Sequence, residues 1–431
     1  MILDLCIYAS SGLLLRGISL ITAPITMRLV SPAAYGLLAL AHSFISIVTL
    51  FFGLGLRQAL SLEYFHYDTI EQKKMINDII LIYCMISGCF FFLLICLQQP
   101  INVFFFRGHA NSTIIMLSII ICMLYFFVEL LYQLLQYQTK VKQLAYLQTS
   151  IALLTMCLQL LFLYYYHLGI ISMLLAQSIG MLIAIGCGLY IYLKRKWHTY
   201  IDIARSYGLM RHYTTLGLPF IPSVLFGWLL SSGDRWVLAQ LSSMHAVGIY
   251  AIADSFCQLF NTVILYPLSC SYIPYMLRTY TQNKNLIITT EQQNQKIMWL
   301  SMIGIILLIT IGYIISKPLL QILLPTSYHE AITYIWFLLM GSVFLMGTYF
   351  ANCFIQYHKK RYFLGFAPSI PAIINIMLNY ILIPHYQLYG CIGATLTAYI
   401  IYFGITVQYN YYLQSTIQGE SIQTDYSAAI K

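Results

Sequence analysis

Charge is what this sequence has least of. Only 8% of its 431 residues are Asp, Glu, Lys or Arg, against about 25% in a soluble domain. A water-soluble fold of this size cannot cover its surface with so few charges, so a soluble enzyme is excluded. Disordered chains are polar and charge-rich, so disorder is excluded as well. Glycine and proline are too sparse for a collagen-like chain. The 11 cysteines include no CxxC pair and lie mostly inside apolar runs, where they read as small fillers rather than as metal or redox centres. No GxxxxGK[ST] loop is present, so the chain carries no ATPase of its own. No HExxH or GxSxG stands out, and no cofactor is expected.

What the chain does have is apolar length. Hydrophobic residues make up 60% of it, in long unbroken runs such as 79–97 and 297–315. A lipid-facing strand would alternate apolar and polar residues. About 20 consecutive apolar residues instead suit a helix that satisfies its own backbone within the bilayer. The fold class is therefore an all-α polytopic membrane protein. Twelve spans are expected, near 5–29, 36–60, 78–97, 112–135, 145–166, 169–193, 214–236, 246–270, 296–316, 332–355, 363–383 and 388–411. The N-terminal stretch lacks the basic region and cleavage site of a signal peptide, so span 1 is read as an uncleaved helix.

Basic residues set the orientation. Apart from Arg16, only Arg28, Arg107, Arg235 and Lys317 fall on the side of the odd-numbered loops. All other Lys and Arg residues follow even-numbered spans or lie in the tail. Positive charge accumulates on the cytoplasmic side, so both termini are expected there. The net charge of +9 is thereby explained by topology and gives no reason to expect nucleic-acid binding.

The chain also repeats itself. AYGLLALAHSF at 34–44 echoes AVGIYAIADSF at 246–256, with identity at Ala34/Ala246, Gly36/Gly248, Ala39/Ala251, Ala41/Ala253, Ser43/Ser255 and Phe44/Phe256. LQYQTK at 135–140 echoes IQYHKK at 355–360. Both offsets are close to half the chain. Two parallel six-helix repeats follow, with an N-terminal lobe over 1–205, a C-terminal lobe over 206–412 and a cytoplasmic tail over 413–431. The basic loop 194–215 is the natural joint. In transporters with parallel repeats the substrate site lies near the midplane.

The pattern PITMRLVSPAAYGLLALAHSF, followed by FGLGLRQAL at 52–60, resembles the start of bacterial O-antigen flippases of the Wzx type. These belong to the polysaccharide-transport branch of the superfamily that includes the multidrug-and-toxin exporters. GLPFIPSVLFGWLLSSGDRWVLAQL, followed by AVGIYAIADSF, resembles the second half. The resemblance covers the chain in span count, orientation and length. It implies MATE-like lobes around a central cavity in the bacterial inner membrane. It implies movement of undecaprenyl-pyrophosphate-linked O-antigen repeat units from the cytoplasmic to the periplasmic leaflet by alternating access. H⁺ or Na⁺ would be the coupling ion. Membrane lipid, an O-antigen polymerase and a chain-length regulator would be partners. The rival readings are a multidrug cation antiporter of the same superfamily and, from another class, an O-antigen polymerase or polytopic glycosyltransferase. The short outer loops and the repeat disfavour the latter.

Charges at membrane depth cost at least about 2.5–3.5 kcal/mol each, so each needs a partner, a cavity or water. Arg16, near mid-depth in span 1, is a candidate contact for pyrophosphate or an acidic sugar, or else half of a structural ion pair. Asp254 is a candidate ion carrier. His42, its repeat partner, is a candidate cavity residue, although a hydrogen-bonded interior histidine is the preferred reading. Asp234 and Arg235 are adjacent, point about 100° apart and are candidates for an outer gate or for coupling. Glu129 is a candidate proton carrier, with an interior partner for a basic residue preferred. The prolines near spans, Pro219, Pro222, Pro267, Pro274, Pro368 and Pro371, permit bends. The 37 tyrosines are read mainly as interfacial belts.

Overall fold

The computed structural model describes residues 14–15, 17–18, 22–64, 67–138, 140–194, 202–218, 221–265, 272–283 and 286–429. Among them every regular element is helical. The helices are α1 (Pro32–Gly53), α2 (Leu56–Glu63), α3 (Thr69–Cys96), α4 (Gln98–Phe106), α5 (Ser112–Tyr137), α6 (Val141–Tyr164), α7 (Ile171–Lys194), α8 (Ile203–Gly217), α9 (Ile221–Leu241), α10 (Met244–Phe260), α11 (Ile273–Gln282), α12 (Ile287–Leu323), α13 (His329–Tyr357), α14 (Arg361–Phe366) and α15 (Ser369–Ala429). Nine helical stretches among the described residues are long and apolar enough to cross a bilayer. The protein is an all-α, multi-pass membrane protein.

Two of the twelve expected spans hide inside one of those stretches. Gln387, with φ 50° and ψ −124°, breaks α15, so 363–383 and 388–411 are separate legs of one long helical assignment. The seventh expected span is α9, whose Asp234 and Arg235 lower its hydropathy. Most of the first lies outside the described residues. The expected span 214–236 is corrected by the structure. Residues 203–217 form their own helix, α8, and α9 begins only at Ile221. The hydropathy of Leu216 and Leu218 had merged the two. The expected loop 194–215 is thus largely helix where it is described. Residues 98–106 are helical as well. Helix α12 continues through Pro318 to Leu323, which makes it roughly 55 Å long at 1.5 Å per residue.

By contacts the chain divides into two compact units. Unit one is Met1–Trp228 with Ser243–Gly248, and unit two is Leu229–Ser242 with Ile249–Lys431. In unit one, Ser31 caps α1 by accepting from the Ala34 amide (3.3 Å), and Pro32 occupies the first turn, where its missing N–H costs nothing. The first turns of α1 and α10 cross at two glycines. A Cβ on Gly36 would lie 2.1 Å from the Met244 carbonyl oxygen, and one on Gly248 would lie 1.9 Å from that of Pro32. Helix α8 is fastened to α3 by Ser206, which donates to Asp78 (2.6 Å), and by Arg205, 3.3 Å from the same carboxylate. His212 and Glu63 meet at 2.8 Å and tie α8 to α2. In unit two, Met298, Met302, Val343, Met346 and Phe350 form an apolar core.

Candidate functional site

In unit one the chain turns sharply after α1. Leu54 (φ 40°) and Gly55 (φ 74°) both take left-handed backbone, which L side chains other than Asn and Asp rarely visit. At Gly55 only glycine fits, because a Cβ there would lie 2.3 Å from the Gly217 carbonyl oxygen. The turn sets Arg57 at the start of α2 against α5. There its guanidinium meets Glu129 at 3.0 Å. Gln133, one turn further along α5, accepts from Arg57 Nε (3.4 Å) and donates to the Arg57 carbonyl (3.2 Å). Gln133 also donates to the Tyr137 hydroxyl (2.6 Å). Four residues separate each of Glu129, Gln133 and Tyr137, so one stripe of α5 holds the arginine in place.

Arg57 lines a chamber of about 400 Å³. Its other polar walls are His42, Ser46, Thr49, Gln58, Tyr125 and Gln177. Trp228 closes α9 onto α1 by donating to the Ser43 carbonyl (3.2 Å) and to Ser46 Oγ (2.9 Å). The Arg57–Glu129 pair is only partly buried, at 36% and 27% side-chain exposure, so the guanidinium is open to a ligand. Arginine forks can grip phosphate oxygens in pairs.

Unit two contains a second polar centre. Asp234 on α9 is almost wholly buried, at 1% exposure. Tyr250 donates to its Oδ2 (2.9 Å), Thr395 donates to the same oxygen (2.8 Å), and Asn379 donates to Oδ1 (2.7 Å). Asn379 also donates to Asn375 Oδ1 (2.9 Å). The neighbouring Arg235 pairs instead with Asp254 on α10. Asn379 Oδ1 and Asn375 Nδ2 are buried without a hydrogen-bond partner. A desolvated carboxylate ringed by amide and hydroxyl oxygens can hold a proton. By turning its amides it can also present oxygens to a small hard cation.

The structure therefore gathers Asp234, Arg235 and Asp254 in unit two, and Glu129 and His42 around the chamber of unit one. His42 bonds Gln177 at 3.2 Å. Arg16 lies outside the described residues. Sequence reasoning passed over Arg57, which it counted as a cytoplasmic charge, although its place inside FGLGLRQAL and an apolar run was a signal. It also passed over Asn375, Asn379 and Thr395, neutral groups whose i, i+4 amide pair in an apolar helix was the available clue. Glu291 was missed too. It is fully buried and accepts from Tyr280, Asn294 (2.9 Å) and Asn410 (2.9 Å).

The fold is shared with solved membrane transporters. The chain superposes on lipid II flippase MurJ in an inward closed conformation with a TM-score of 0.73, at 17% identity, over 95% of this chain and 87% of that one. It superposes on an inward-facing MATE-family multidrug resistance transporter of the MOP superfamily with a TM-score of 0.69, at 15% identity, over 95% and 96%. A Vibrio cholerae MATE transporter, VcmN, gives 0.59 at 16% identity over 96% of each chain. No curated protein matches the chain in sequence. Residues 4–280 match the model of the polysaccharide biosynthesis protein family, and the chain belongs to that family.

Proposed function

We propose that the protein is a flippase for lipid-linked oligosaccharides, a transporter rather than an enzyme. Its cargo would be undecaprenyl-pyrophosphate-linked O-antigen repeat units, carried from the cytoplasmic to the periplasmic leaflet of the bacterial inner membrane, with both termini cytoplasmic. The observation that carries this reading is the Arg57 chamber. A partly exposed guanidinium, steadied by Glu129 and Gln133, faces a polar cavity inside an apolar helical unit. Membrane interiors keep such a charge only for a partner or a path. A pyrophosphate head group supplies the complementary charge, and the apolar surround suits a polyprenyl tail. Family membership and the fold shared with a lipid II flippase support the same class of cargo.

Movement would proceed by alternating access. Asp234 would carry the coupling ion, H⁺ or Na⁺, because its carboxylate is desolvated and bonded by neutral groups. Loss or gain of one charge there changes which of Tyr250, Asn379 and Thr395 can donate to it. That would bias the packing of α9, α10 and both legs of α15. His42 and Arg235 would act as cavity and ion-pair residues, and Arg16 as a further cationic contact. The O-antigen polymerase and the chain-length regulator would receive the product.

The rival reading, export of cationic drugs, draws on the MATE-type fold and on Glu129, the carboxylate paired with Arg57. Deletion of the gene in its host, with and without plasmid copies of wild type and Arg57→Gln, separates the two. A flippase leaves single repeat units facing the cytoplasm when absent or when Arg57 is neutralised. Normal surface polysaccharide with raised drug sensitivity would overturn the proposal.

A further inference from the structure

One face of α1 lines cavities along most of its length. Tyr35, Leu38 and His42 line a chamber of about 390 Å³. His42, Ile45, Thr49 and Gly53 line the Arg57 chamber. Steps of three and four residues put all of these on one stripe of the helix. From Tyr35 to Gly53 the stripe runs roughly 27 Å at 1.5 Å per residue, close to the ~30 Å hydrocarbon thickness. Both chambers share His42 and Gln177, whose side chains bond each other at the join.

The two chambers differ in chemistry. The Arg57 chamber carries formal charge. Among the described residues, the walls of the other hold no Lys, Arg, Asp or Glu. They offer the hydroxyl of Thr155 and the amides of Gln159 and Gln177, while the buried Thr22 and Thr26 hydroxyls donate to the Ile18 and Thr22 carbonyls. Gln159, on α6, donates to Thr26 Oγ1 at 3.1 Å, which holds its amide against the helical segment 22–29. Met156 and Met173 line the same chamber. Hydroxyls and amides donate and accept alike, whereas a phosphate needs cations. A sugar ring has hydroxyls at its edge and C–H groups on its faces, and it matches a wall that offers both polar and apolar contacts. The volume lies within the roughly 300–1,000 Å³ of small-molecule sites.

We infer that the Gln159 chamber is a subsite for uncharged, hydroxyl-bearing sugar residues, while the phosphates stay with Arg57. The inference rests on the reading of the chain as a carrier of lipid-linked sugars. It assigns substrate selectivity to Thr155, Gln159 and Gln177, with the His42–Gln177 bond marking the border between phosphate and sugar.

The test uses the purified full-length protein and two probes, bare geranylgeranyl pyrophosphate and the same lipid with one linked neutral hexose. Affinities are read by native mass spectrometry. Wild type should bind the sugar-linked probe more tightly. Thr155→Val, nearly isosteric and benign for folding, and Gln159→Met should each lower that preference about fivefold, the worth of one hydrogen bond, and leave the bare probe unaffected. Arg57→Gln should weaken both probes by the same factor. A preference that survives both chamber variants, or no preference in wild type, overturns the sugar subsite. If Arg57→Gln still weakens both probes in that case, the carrier reading stands without it. If neither probe binds wild type, both readings fall.

Discussion

Replacing Asp234 separates the structural worth of this carboxylate from its proposed work in coupling. Three donors converge on it: Tyr250, Thr395 and Asn379. Asp234→Leu removes the shared acceptor from all three inside the protein, although Asn379 keeps Asn375 and Thr395 keeps the Cys391 carbonyl. At about 1–3 kcal/mol for each of the three buried bonds lost, the loss is on the order of 3–9 kcal/mol. Folded proteins have only about 5–15 kcal/mol in total, so little of this variant should survive in the membrane. Asp234→Asn has the same shape. Its amide oxygen can keep Tyr250 and Thr395. Its new NH₂ then faces Asn379, whose Oδ1 is buried with no hydrogen-bond partner, so Asn379 can turn round and accept. The expected cost is about 1 kcal/mol, one rearranged bond. The assay is fluorescence size-exclusion after heating, run beside complementation of surface polysaccharide in the deletion host. Asp234→Asn should match wild type in amount and nearly in melting temperature, yet fail to complement, because a neutral amide cannot gain or lose the coupling charge. Equal instability of the two variants would refute the hydrogen-bond argument. Full complementation by Asp234→Asn would refute the coupling role.

Other perturbations follow from the same geometry. Arg235→Ala leaves Asp254 without its partner in a setting only 13% exposed, which should cost about 3–5 kcal/mol; the double variant Arg235→Leu with Asp254→Leu should recover most of the lost melting temperature. Arg57→Ala should lower transport at least about tenfold, the worth of a charge-assisted bond, with normal membrane levels, and Arg57→Lys should rescue it poorly because an ammonium lacks the fork. A lysine that restores full transport would contradict the bidentate reading. Gly55→Ala adds a left-handed backbone penalty of about 1–2 kcal/mol to the collision with Gly217, and protein yield should fall.

Apolar runs reveal where a chain crosses a bilayer, because the hydrocarbon admits little else. That made α5, α6, α7 and α13 legible from sequence within a few residues, whereas the expected span 36–60 ran through the turn at Leu54–Gly55 into α2 and the expected 78–97 missed the polar start of α3 at Thr69. The same averaging failed at 214–236, where the leucines near Gly217 masked the end of α8. Charge at depth pointed to Asp234, Arg235, Asp254 and Glu129 for the same energetic reason. It could not say that Arg235 turns to Asp254 while Asp234 turns to neutral groups, since that depends on which helices lie beside α9. Nor could it find Asn375, Asn379 or Gln159. Amides carry no formal charge, and hydropathy marks them only weakly. Arg57 was hidden differently, by a count of positive charges that explained it as topology before the turn at Leu54–Gly55 could show it turned toward Glu129.

The glycine crossing at the head of α1 also limits how the sequence can change. Gly36 and Gly248 are equivalent positions in the two sequence repeats, and each presses on the backbone beside the other. Two positions more than two hundred residues apart are thereby held to one size, because a Cβ at either would strike the backbone beside the other. Each remains bound to the other's size, so neither can enlarge until its counterpart's backbone has moved away.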